Sequence, residues 1–105
     1  MRNRKLWNRK TGPITCFGRC KAKYNEVIKH LGKEHFVEDD PTRTHSGTER
    51  YWVFEICEGV ALAFQYHDVT EELYIGSNKE LDKPYDIAYQ FIPFSLEKVN
   101  GEMWS

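Results

Sequence analysis

Tyr51-Trp52-Val53-Phe54-Glu55-Ile56-Cys57-Glu58-Gly59-Val60-Ala61-Leu62-Ala63-Phe64-Gln65-Tyr66 decides the fold class. Trp52, Phe54 and Ile56 alternate with Tyr51, Val53, Glu55 and Cys57, and the alternation resumes at Val60, Leu62, Phe64 and Tyr66. A period of two belongs to half-buried strands, and a Gly-containing pair between two such runs reads as a β-hairpin. Ala61 and Ala63 stand opposite Leu62 and Phe64, small enough to let a helix approach the sheet closely. Cys57 falls on a strand, where a small buried hydrophobe is expected.

Upstream of the hairpin the period changes. Tyr24, Val27, Ile28 and Leu31 follow the i, i+3, i+4, i+7 rule of a core-facing helix over residues 21–31, and Gly32 stands where a left-handed cap belongs. Lys29 and His30 in its last turn suit the helix dipole. Ile14 to Phe17 reads as a short strand ended by Gly18. Lys33 to Glu49 is polar and reads as a long loop of the kind that is functional or mobile. Downstream, Asp68 to Glu71 reads as a turn, Leu73-Tyr74-Ile75 as a third strand, and Ser77 to Pro84 as loop. Ile87, Tyr89, Phe91 and Pro93 recur at period two as a fourth, and Ser95 to Val99 forms one helical turn. The expectation is an α+β fold: a small antiparallel sheet of about four strands with one main helix packed on one face. Residues 1–12 form a basic arm and 13–105 a single domain.

At 105 residues and 12.5 kDa, with 40% hydrophobic and 30% charged content, the chain suits one globular domain. Such a chain buries only about two-thirds of its unfolded surface, which leaves little room for an extended catalytic cleft. No run of eighteen apolar residues spans a membrane, and the basic start is not followed by the apolar stretch of a secretory signal. Cys16, Cys20 and Cys57 are an odd number, expected as thiols in a reducing cytoplasm. Cys16-x3-Cys20 has zinc-like spacing, but no second ligand pair follows at finger spacing, so no metal and no cofactor are assigned.

The net charge of −1 conceals a strong asymmetry. Residues 1–25 carry eight Lys or Arg and no carboxylate, whereas residues 26–105 carry seven Lys or Arg against sixteen Asp or Glu. Arg2, Arg4, Lys5, Arg9 and Lys10 surround Trp7, a composition that suits phosphates and an unpaired base. The body clusters its carboxylates in expected loops. Glu38, Asp39, Asp40, Glu71 and Glu72, with Tyr74 nearby, are the candidate partner-binding residues, suited to a basic groove on another protein. Fifteen aromatic residues exceed what so short a chain readily hides, and Tyr51, Tyr74, Tyr85, Phe94 and Trp104 are candidate surface anchors. No Gly-rich phosphate loop, no nucleophile elbow and no paired-His metal motif is present, so no catalytic residue is assigned and the expectation is not an enzyme.

Tyr24-Asn25-Glu26-Val27, Leu31-Gly32, then Trp52-Val53-Phe54-Glu55, Gly59-Val60 and Tyr66 carry a resemblance. Over about residues 20–67 the chain resembles small bacteriophage-encoded proteins that read YxEVxxxLG, loop, WxFE, GV. The arm before Thr11 and the ending Met103-Trp104-Ser105 depart from that pattern. The resemblance defines no catalytic residues. It implies a viral protein acting in the host bacterial cytoplasm on a defence protein or nucleoprotein complex, as an anti-CRISPR-like inhibitor working by protein–protein interaction. The alternatives are an RNA- or DNA-binding regulator led by the arm, an immunity protein to a bacterial toxin, or a protein sequestering a nucleotide signal through aromatics and Arg43 or Arg50.

Overall fold

The computed structural model describes residues 12–39, 48–99, 101 and 103–104, with the backbone alone at 39, 103 and 104. The elements are β1 (Ile14–Lys21), α1 (Tyr24–Leu31), β2 (Phe36–Asp39), β3 (Thr48–Cys57), β4 (Val60–His67), β5 (Glu72–Ser77), α2 (Pro84–Ala88), β6 (Glu97–Lys98) and β7 (Met103–Trp104). They form one antiparallel sheet in the order β2-β3-β4-β5-β1-β6, with β7 also on β1.

Helix and sheet are both present, but the expected architecture is corrected. The sheet has seven strands among the described residues where about four were expected, and the helical part is two short segments. The polar stretch 33–49 contains β2, whose Glu38 and Asp39 conceal a strand held by pairing with β3. Residues 87–94 are not a strand. Pro84 at the first turn presets a helical φ, and Ala88 and Ile92, four apart, are the buried pair. Residues 97–98 pair with β1 where a helical turn was expected, and 103–104 pair with it too.

The hairpin forms as expected, longer at both outer ends, with Gly59 at φ 74° in its turn. The Asn78 side chain braces that turn, accepting from Ala61 N at 2.8 Å and donating to Gly59 O at 3.0 Å. Helix α1 begins at Tyr24 because Lys21 still belongs to β1, opposite Glu72. It ends at Gly32, φ 80°, whose N–H donates to Ile28 O at 2.8 Å.

One face of the sheet carries the main core. Trp52, Leu62, Phe64, Tyr66, Leu73, Ile75 and Cys20 pack beneath Val27 and Leu31 of α1 and Ala88 and Ile92 around α2. Each fully buried large side chain there contributes about 1.5–3 kcal/mol. The Trp52 indole N–H donates to Gly32 O at 2.9 Å, tying the helix end to β3. The helix thus sits on the Leu62–Phe64 face, not over Ala61 and Ala63 as expected, because the large side chains bury more apolar area. Ala63 joins Ile14 and Cys16 on the other face, with Phe36, Val53, Tyr74 and Val99 beside them.

Strand β1 runs through Gly18, with a bulge between Cys16 and Gly18. The extra residue reverses the alternation, so Cys16 and Cys20 lie in separate clusters on opposite faces and cannot share a metal ion. Helix α2 locks onto the bulge. Tyr85 donates to Phe17 O at 2.7 Å, and its ring meets Phe17 edge-on at 5.5 Å. Cys57 is exposed at the hairpin end, not buried. Tyr51 is fully buried where a surface anchor was expected, whereas Tyr89, read with Ile87 and Phe91 as one strand face, is 44% exposed.

Candidate functional site

The strand registers assemble a row of ionisable side chains that the linear sequence scatters. Glu38 on β2 lies opposite Glu49 on β3, Glu49 opposite His67 on β4, His67 opposite Glu72 on β5, and Glu72 opposite Lys21 on β1. Cross-strand partners share a face, so this row crosses the side of the sheet away from α1. Glu38 and Glu72 stand three strands apart, about 14 Å by inter-strand spacing. A second row, two residues further in, runs Phe36, Tyr51, Gln65, Tyr74, Arg19.

The rows are linked by hydrogen bonds. Tyr51 donates to Glu49 Oε1 at 2.9 Å and accepts from Gln65 Nε2 at 2.8 Å. His67 Nε2 lies 2.9 Å from Gln65 Oε1, and His67 Nδ1 lies 3.8 Å from Glu49 Oε2. Tyr74 donates to Glu72 Oε1 at 3.1 Å, its ring meeting the His67 ring edge-on at 5.2 Å. Burial, then the Glu72 carboxylate, raises the Tyr74 phenol above its ordinary value.

On the helix side of the same sheet end lies an ion cluster. Arg50 grips Asp68 with two bonds, Nε to Oδ1 at 2.9 Å and Nη2 to Oδ2 at 3.0 Å, and donates from Nη1 to Glu34. Tyr24 donates to Glu34 at 2.6 Å, and its ring lies 4.5 Å beneath the guanidinium. Burial opposes ionisation of Glu34, but the bonds from Tyr24, the backbone and Arg50 outweigh it and hold the carboxyl below its ordinary value. Asp68, foremost, raises the Arg50 value further. A phosphate at Arg50 would have to displace two carboxylates.

The expected partner-binding residues separate into three groups. Glu72 and Tyr74 adjoin on β5, and Glu71 holds the β4–β5 turn beside them, 3.5 Å from Lys23 Nζ. Glu38 belongs to the same sheet end but is 8% exposed. Asp39 ends β2, its side chain outside the described residues, as are Asp40, Arg43 and the candidate nucleic-acid residues Arg2, Arg4, Lys5, Trp7, Arg9 and Lys10. Glu34 and Glu49 counted only among the body's loop carboxylates, and Asp68, Gln65 and His67 were not singled out in the sequence, because their grouping depends on register. At the tip between Asp68 and Glu71, Val69 is 65% exposed.

The opposite end of β5 borders a groove of about 320 Å³ lined by Phe17, Ser77, Lys79, Leu81 and Pro84 among others. Ser77 there donates to Lys79 O at 2.7 Å and Asn78 braces the hairpin, so these polar groups serve the chain's own turns. Among the described residues no cluster of His, Cys, Asp or Glu is placed to hold a metal, and no helix is long and apolar enough to cross a membrane.

Comparison with protein-family models, curated proteins and solved structures finds no match. The surface therefore has to be judged on its own chemistry. What it offers is an anionic edge with one apolar tip.

Proposed function

We infer that this protein acts by binding, as a phage-type inhibitor of a bacterial defence complex, with the acidic end of its sheet as the docking surface. The carrying observation is the β4–β5 turn. Asp68, Glu71 and Glu72 flank the exposed Val69 in sequence, with Asp68 held by Arg50 and Glu71 near Lys23, and the turn is tied down by Glu71 N to His67 O at 2.9 Å and Ala22 N to Glu71 O at 3.1 Å. A fixed turn loses little entropy on docking, and its carboxylates steer it toward a basic groove of the kind that holds nucleic acid. The resemblance of residues 20–67 to phage-encoded proteins supports the choice of a defence complex.

The test is phage plating on bacteria carrying a CRISPR nuclease, with and without the protein. The wild type is expected to restore plaques, and the double variant Glu71→Lys, Glu72→Lys to fail while keeping its circular dichroism spectrum. Purified inhibition should weaken between low and physiological salt, because exposed charge is screened over about 10 Å at 0.1 M. Failure of the wild type to protect, or equal protection by the reversed variant, overturns the reading. Loss of nucleic-acid retention together with protection on deletion of residues 1–12 transfers the function to the basic arm.

A further inference from the structure

We propose that Glu49, Tyr51, Gln65 and His67 form a proton-operated latch, closed when the His67 ring carries both of its protons and opened when Nδ1 loses one. The directions of the hydrogen bonds carry the argument. An ionised Glu49 only accepts, so the Tyr51 hydroxyl proton points to it. Tyr51 must then accept from the Gln65 amide nitrogen, which turns Gln65 Oε1 toward His67. A carbonyl oxygen only accepts, so His67 Nε2 is the protonated nitrogen whatever the charge of the ring. The remaining nitrogen, Nδ1, faces Glu49 Oε2 at 3.8 Å, beyond a hydrogen bond but within ion-pair reach. With a proton on Nδ1 the four side chains form a closed loop ending on the carboxylate where it began. Without one, a lone pair faces a negative charge.

The groups around the ring favour the closed form. Among the described residues, β3 presents Glu49 and Tyr51, β4 presents Gln65 with Asp68 just beyond, and β5 presents Glu72 and Tyr74, with Lys21 of β1 past Glu72 in the row. Glu38 of β2 lies past Glu49. Tyr74, its phenol held above the ordinary value, stays neutral in this range. Glu49 is 3% exposed, so its attraction for the imidazolium is poorly screened. Opening would loosen the ends of β3 and β4 nearest the β4–β5 turn. The inference concerns the fold's response to pH and stands independently of what the turn binds.

The test is a pH titration of the ring-labelled full chain by nuclear magnetic resonance between pH 5 and 9, with His67 assigned through its contacts to Tyr74. His67 is expected to keep its Nε2 proton throughout and to lose the Nδ1 proton above the ordinary histidine value of about 6.5. In Glu49→Gln, which can still accept from Tyr51, the midpoint should fall by about one pH unit. A neutral ring protonated on Nδ1, a midpoint at or below the ordinary value, or no shift in a folded Glu49→Gln overturns the proposal. Should that variant not fold, the wild-type midpoint and tautomer decide alone.

Discussion

A Cβ added at Gly76 would stand 2.6 Å from the Thr15 carbonyl oxygen and 2.7 Å from the Ile14 Cγ2 methyl. The nearest atom is backbone, held by the pairings Thr15↔Ser77 and Cys16↔Gly76, so it cannot rotate away. Gly76→Ala is expected to cost about 1–3 kcal/mol, seen as a lower urea midpoint at an unchanged slope. A wild-type midpoint would show that β1 and β5 are not so closely apposed.

Arg50 joins α1, the approach to β2 and the β4–β5 turn through Glu34 and Asp68. Arg50→Met leaves Glu34, whose side chain is 5% exposed, facing Tyr24 without its cation. The expected loss is about 2 kcal/mol, below that of a fully buried pair because Arg50 is itself a quarter exposed. The pH dependence follows from the lowered Glu34 value. Its stabilisation is complete above the unfolded value of 4.5 and is lost as pH falls from there through the lower folded value. Chemical denaturation from pH 7 to 3 should therefore show a steeper acid decline in the wild type than in Arg50→Met.

Glu71 has φ 56°, a left-handed conformation that suits glycine. Glu71→Gly is expected to hold or raise stability by up to about 1 kcal/mol, since the Lys23 pair it removes is exposed. Glu71→Val, β-branched, should lower it. Thermal melts of the two variants give the comparison, and a more stable valine variant would contradict the turn geometry.

Cys57 is exposed, Cys16 is buried, and burial pushes the Cys20 thiol up to about 11. A thiol reagent at pH 8 should modify one cysteine of the described set quickly, and Cys57→Ser should abolish that phase. The other two should react on unfolding. Rapid labelling of Cys20 would show that α1 opens readily from the sheet.

Residues 51–66 announced the hairpin because alternation and turn agree. They also contain a subtler constraint. A two-residue turn at Glu58-Gly59 pairs Cys57 with Val60, which without interruption would set Trp52 against Gln65. Trp52 instead meets Phe64, through a bulge between Glu55 and Cys57. Two apolar faces that both seek the core require that shift. The same shift brings Glu49 to His67 and Tyr51 to Gln65, so the site's central grouping follows from a register no local pattern states. Strand β2 escaped detection because two of its four residues are acidic, and α2 because Ile87 and Phe91, four apart, satisfy a strand period as well as a helical one. Glu71 was legible as a turn carboxylate, whereas Glu72 opens β5 and the burial of Glu38 depends on neighbours distant in the chain.

The position of β1 has a consequence for biogenesis. It precedes every other described strand, yet its hydrogen-bonding partners are residues 72–77, 97–98 and 103–104. During synthesis it must wait, unzipped, while the β3–β4 hairpin, one strand away across β5, is already able to form. Loop closure over about fifty to sixty residues then gates completion, placing the slow step of folding at the insertion of β1 between strands made after it. A nascent chain stalled before residue 72 would expose β1 to adventitious strand exchange, and a chaperone that shields it would act on residues 14–21.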